Sequence, residues 1–176
     1  VYAIDFPGFG QSDEPKEVFC VDDYVDIVVE FIEKMNIKKL SLLGHSFGGR
    51  LSLIYASIYK VEKLICLASP YCKELKKLPL KTKIYKFLKK VFFLRWIANI
   101  MKKYIGSTDY KNASEVMRGV LVKSINVEMI EDVKKIKCPT LLMWGTMDTA
   151  VPISRAYELE NLISDSGVVA YEGATH

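Results

Sequence analysis

The stretch Leu40-Ser41-Leu42-Leu43 runs directly into Gly44-His45-Ser46-Phe47-Gly48-Gly49, and an apolar-periodic segment, Phe47 to Tyr59, follows without a gap. A buried strand that feeds a helix through so few residues demands a very tight turn. Gly44 and Gly48 remove the side chains that would hold strand and helix apart, and Ser46 at the apex takes strained backbone. Its hydroxyl is then presented at the end of a sheet strand, with Phe47 N–H aimed at the same point. Ser46 is therefore a candidate nucleophile, provided a histidine and a carboxylate can reach it. Taken alone it reads equally well as a helix N-cap.

The rest of the chain supplies both partners. There are two histidines among its 176 residues. His45 lies inside the turn and is expected to pack beside the strand. His176 follows Gly173-Ala174-Thr175, just beyond a strand predicted at Val168 to Tyr171. Asp148 closes Thr140-Leu141-Leu142-Met143-Trp144-Gly145-Thr146-Met147, a second predicted strand with its loop. Considered singly, Asp148 is a turn residue before Pro152, and His176 is a chain end. Together they give a serine, a carboxylate and a histidine in the order Ser46, Asp148, His176. A further motif, D-x-P-G-x-G-x-S, stands at Asp5-Phe6-Pro7-Gly8-Phe9-Gly10-Gln11-Ser12.

These four features resemble the α/β-hydrolase superfamily, whose members carry G-x-S-x-G at a strand-to-helix turn and a triad in this chain order. The resemblance implies that Ser46 attacks a carbonyl, His176 moves the proton and Asp148 orients the imidazole. Phe47 N–H would be one oxyanion-hole donor. No cofactor is implied. Nor is a metal: Cys20, Cys66, Cys72 and Cys138 form no C-x-x-C pair and do not cluster with histidines.

Strands and helices alternate over most of the chain. Strands are predicted at Val1 to Asp5, Lys39 to Leu43, Val61 to Leu67, Thr140 to Trp144 and Val168 to Tyr171. Helices are predicted from Asp22, acting as a cap, to Met35; from Phe47 to Tyr59, burying Leu51, Ile54, Tyr55 and Ile58; and from Ile153 to Ile163. The fold class is α/β: a mostly parallel sheet with helices on both faces. The core comprises residues 1–70 and 136–176. Residues 71–135 break the alternation and read as helical from Leu80 to Tyr104 and from Ala113 to Lys134. At this place the resemblance implies an inserted cap or lid.

The same resemblance implies absences. Relatives carry about three strands and a helix ahead of the position of Val1, and one of their loops gives the second oxyanion-hole amide. The expectation is a fragment that lacks the N-terminal strands and that donor, and also the helix that follows the histidine.

Charge is distributed unevenly. Residues 73–103 hold eleven Lys or Arg against one acid, Glu74, although the whole chain carries only +4. Ile84, Phe87, Leu88, Val91, Leu94, Ala98, Met101 and Ile105 recur among these lysines at helical spacing. The apolar stripe suits a pocket for the apolar part of a small-molecule acyl substrate. The lysines either form a solvated face, the simpler reading, or make weak contact with an anionic membrane surface. Nucleic acid is a poor fit, because the lysines accompany an apolar helix rather than exposed aromatics. No apolar stretch matches a membrane span, and the thiols read as the reduced cysteines of a cytoplasmic protein. The resulting expectation is a serine hydrolase that cleaves a carboxylic ester or related acyl bond. Thioester, amide and carbon–carbon hydrolysis stay open. Serine at position 46 argues against relatives that use a carboxylate nucleophile on epoxides or halides. The alternative is a catalytically impaired hydrolase-fold protein that binds a ligand or partner.

Overall fold

The computed structural model describes residues 1–73 and 108–176. The elements in chain order are α1 (Val21–Lys34), β1 (Ser41–His45), α2 (Phe47–Ile58), β2 (Lys63–Leu67), α3 (Thr108–Asn112), α4 (Glu115–Ile125), α5 (Ile130–Val133), β3 (Thr140–Gly145), α6 (Ser154–Leu162) and β4 (Ser166–Tyr171). Predicted helix 80–104, and with it the apolar stripe and most of the lysines, lies outside the described residues. The chain divides into two compact units, Val1–Val18 with Glu74–Val122, and Phe19–Lys73 with Lys123–His176.

The second unit holds the sheet, in which all described strands are parallel in the order β1-β2-β3-β4. Gly44 pairs with Cys66, Cys66 with Leu142, and Leu142 with Val168. This register puts Gly44, Leu64, Cys66, Leu142 and Trp144 on one face, against α2 and α6, which α5 bridges. Leu64, Cys66, Leu142 and Trp144 are at most 1% exposed there. Burial pushes the Cys66 thiol up to about 12, so it acts as a small hydrophobe rather than a reactive group. Coverage of the opposite face is uneven: Leu43, Val169 and Tyr171 on it are exposed.

Helix α1 packs on α2 through Val21, Tyr24, Val25 and Val28. Its start differs from the expected Asp22 cap. Cys20 occupies the cap position, and its N–H donates to Asp23 Oδ2 at 2.6 Å. A carboxylate in the first turn can reach back to the amide that opens the helix, whereas Asp22 points outward. Helix α2 is buried almost all round, from Gly49 to Ala56, and includes Arg50, which donates to Val127 O at 3.3 Å. Ile58, predicted in its buried face, is 64% exposed because the helix ends there.

In the first unit, residues 1–5 form no strand, contrary to expectation, and Val1 and Tyr2 are exposed. A strand needs a ladder partner, and no described strand pairs with this segment. The glycine-rich loop that follows closes on itself around Asp5. Gln11 N–H donates to Asp5 Oδ2 at 3.0 Å, and Ser12 Oγ donates to Asp5 O at 2.6 Å. Gly10, at φ +56, leaves room for the Asp5 carboxyl where a Cβ would stand.

Candidate active site

Three loops leave the carboxyl ends of β1, β3 and β4, where open α/β sheets carry their sites. The turn after β1 holds Ser46 at φ 51, ψ −111. Ser46 N–H donates to Leu67 O at 2.9 Å, and Ser46 O accepts from Arg50 N–H at 3.0 Å. Ser46 does occupy the N-cap position of α2, but its side chain makes no capping bond. The glycine requirement also differs in part from the expectation. A Cβ on Gly44 would press into the Gly48 carbonyl, and one on Gly49 would press into Ser69 Oγ, whereas Gly48 faces open space. The close approach therefore runs from Gly44 to the helix backbone and from Gly49 to Ser69. Phe47 N–H opens α2 at the positive end of its dipole, and the Phe47 ring sets edge-on against Tyr24, centroids 5.2 Å apart.

The loop after β3 is folded around Asp148. Oδ1 accepts from the N–H groups of Ala150 and Val151, both at 2.8 Å. Trp144 Nε1–H donates to Val151 O at 2.9 Å from inside the core. The second carboxylate oxygen, Oδ2, lies 2.7 Å from His176 Nδ1. The turn reading of Asp148 and its triad reading thus belong to the two oxygens of one carboxylate. Asp148 is 6% exposed.

The loop after β4 carries His176. Gly173, at φ +71, donates to Thr146 Oγ1 at 3.0 Å, and Met147 N–H donates to Ala174 O at 2.9 Å. A Cβ on Gly145 would collide with the Ala174 carbonyl, so glycine there lets the two loops meet. His176 Nε2 lies 2.9 Å from Ser46 Oγ. Since a carboxylate can only accept, Nδ1 carries the hydrogen toward Asp148. Nε2 is then free to accept from the serine hydroxyl. The structure brings together all three side chains singled out in the sequence.

His45 departs from its expected place. It is exposed rather than packed beside the strand, and its Nε2 lies 2.9 Å from the main-chain oxygen of His176. The two imidazoles stand 4.9 Å apart, tilted by 48°. No sequence spacing signals this contact, because residues 45 and 176 meet only through the strand order. Among the described residues no cluster of three or more His, Cys, Asp or Glu could hold a metal ion. No described helix is long and apolar enough to cross a membrane.

A family profile described as "alpha/beta hydrolase fold" matches residues 1–86. The chain is 44% identical over 79 residues to the abhydrolase domain-containing protein abhd-5.2 of Caenorhabditis elegans, a match covering 40% of this chain and 17% of that one. It is 24% identical to the AB hydrolase superfamily protein YisY of Bacillus subtilis, over 98% of this chain and 73% of the relative. Among solved structures, a putative lipase from Acinetobacter baumannii superposes with a TM-score of 0.68 at 20% identity, covering 97% of this chain and 66% of its own.

Proposed function

We propose that this chain, which belongs to the α/β-hydrolase superfamily, works as a serine hydrolase on a carboxylic ester or related acyl bond. The observation that carries the reading is the line of two hydrogen bonds from Asp148 through His176 to Ser46, at 2.7 and 2.9 Å. In this mechanism Ser46 Oγ attacks the substrate carbonyl while His176 Nε2 takes the hydroxyl proton. Negative charge develops on the carbonyl oxygen beside Phe47 N–H, where a donor stabilises it more than it stabilises the substrate. His176 then protonates the leaving group. An acyl group remains on Ser46 until water, deprotonated by the same imidazole, releases it. Asp148 holds the Nδ1–H tautomer and offsets the charge of the imidazolium. The substrate we propose is a small acyl compound with an apolar part. A cytoplasmic setting, with free thiols, belongs to the same proposal.

The likeness to a putative lipase agrees with an acyl substrate. The test is treatment with a fluorophosphonate followed by mass spectrometry, with Ser46→Ala alongside. A single adduct on Ser46, absent from the variant, is expected. A folded protein that forms no adduct would instead favour a hydrolase-fold binding protein.

A further inference from the structure

We propose that Ser69 is a positioning residue for Ser46, an inference that rests on the acyl-transfer reading of the triad. Among the described residues three non-glycines take a positive φ: Asn36, Ser46 and Ala68. Two of them, Ser46 and Ala68, meet at one carbonyl, that of Leu67. Ser46 N–H donates to Leu67 O at 2.9 Å. Ala68 follows Leu67 directly at φ +44, and its N–H donates to Met143 O at 3.1 Å. The chain therefore keeps one more bond to β3 while it turns away from the sheet. A buried alanine in left-handed backbone persists only where its surroundings hold it, and such outliers gather at functional sites. The turn at Ala68 folds the next side chain, Ser69, back over the end of β2.

Ser69 is fully buried. Its Oγ donates to Leu67 O at 3.1 Å, and Gly44 O lies 3.5 Å away. Leu67 O thus accepts from two donors, the Ser69 hydroxyl and Ser46 N–H, one for each lone pair. The hydroxyl also stands where a Cβ on Gly49 would be, so the ends of β1 and β2 and the first turn of α2 all close on this one oxygen. A reacting group keeps its geometry only when the groups that hold it are themselves locked. The Leu67 carbonyl is an acceptor on which the strained serine hangs, and the Ser69 hydroxyl fixes that carbonyl from the core side, away from water. Loss of one neutral hydrogen bond of this kind corresponds to about two- to tenfold in reactivity.

Three substitutions separate the hydroxyl from the space it fills. Ser69→Ala removes it. Ser69→Thr keeps it, and Ser69→Val has the shape of threonine without it. In each, fluorophosphonate labelling of Ser46 is timed. In parallel, exchange of the Ser46 amide hydrogen is followed by NMR beside that of Leu142, in the middle of the sheet. The Ala variant should label about two- to tenfold more slowly than wild type, and Val more slowly than Thr by a similar factor. In both slow variants the Ser46 amide should exchange faster relative to that of Leu142. A residue that only stabilised the fold would speed both amides by the same factor, and that result overturns the proposal. So does an Ala variant that labels at the wild-type rate, or a Val variant equal to Thr. Should the added methyl group of Thr and Val prevent folding, the Ala variant decides alone. Should wild-type Ser46 fail to label at all, the acyl-transfer reading fails. The exchange series still decides whether Ser69 holds the Ser46 turn.

Discussion

The most discriminating substitution is Asp148→Asn. Two backbone amides, Ala150 and Val151, point at Oδ1, so the asparagine carbonyl must take that place. Its NH2 group then faces His176 Nδ1 where Oδ2 stood at 2.7 Å. Two donors cannot face each other, so the imidazole must shift its hydrogen to Nε2. That nitrogen can no longer accept from Ser46. The arrangement is intact in outline but carries the wrong tautomer, for which the loss in a serine triad is about 10⁴-fold. Stability should change little, because both amides keep an acceptor. Asp148→Ala makes the contrast. It leaves the buried Val151 amide without its acceptor, at about 1–3 kcal/mol, while the Ala150 amide is at an exposed residue. The assay pairs the labelling rate of Ser46 with the midpoint of thermal unfolding. Asn should be slow and stable, Ala slow and destabilised. An Asn variant that labels within about tenfold of wild type would refute the role given to Asp148.

Two further perturbations test the scaffold. Gly44→Ala drives a methyl group into the Gly48 carbonyl and should destabilise the protein by about 1–3 kcal/mol or more, while Gly48→Ala, facing open space, should be neutral or slightly stabilising; their unfolding midpoints give the comparison. Glu158 is held below the ordinary carboxylate range, first by the Tyr71 hydroxyl at 2.6 Å and then by Arg155, also at 2.6 Å. A depressed folded-state value means that its stabilisation is complete above about pH 4.5 and fades as pH falls through the folded value. The difference in unfolding midpoint between wild type and Glu158→Gln should therefore shrink below about pH 4.5, and a constant difference would contradict this.

Legibility in the sequence followed the range of the forces involved. The strand-to-helix turn at Ser46 could be read because local sterics dictate it, and so could the helices α1 and α2, which show their period over three or more turns, whereas the shorter α6 is marked by Pro152 before it. The three residues of the proposed triad could be named from motif order, although their meeting depends on β2 and β3 being neighbours. The cap of α1 is not legible, because Cys20 is an unusual cap residue and the Asp23 carboxylate does the bonding. The need for glycine at position 49 rather than 48 is not legible, because the Ser69 side chain that excludes a methyl group comes from a distant strand end. Residues 1–5 look like a strand by composition, but a strand exists only with a partner. The contact between His45 and His176 spans 131 residues and rests on nothing local.

The strain at Ser46 yields one more testable consequence. Its φ of 51 and ψ of −111 mirror ordinary extended backbone, a region that costs an L-residue about 1–3 kcal/mol. Glycine, lacking Cβ, enters that region as readily as its mirror image. The fold holds the serine there through its bonds to Leu67 and Arg50 and through the contact of Gly44 with the helix backbone. Ser46→Ala and Ser46→Gly both delete the hydroxyl and its bond to His176, so the difference between them isolates the strain. At most positions glycine is the less stable of the two by about 0.5–1 kcal/mol. Here the order should reverse, with Ser46→Gly more stable than Ser46→Ala by about 0.5–2 kcal/mol in denaturant unfolding, and neither variant labelled by fluorophosphonate. An alanine variant as stable as glycine would mean that the turn relaxes once the hydroxyl is gone. The strain would then come from the Ser46–His176 bond rather than from the strand and helix that flank it.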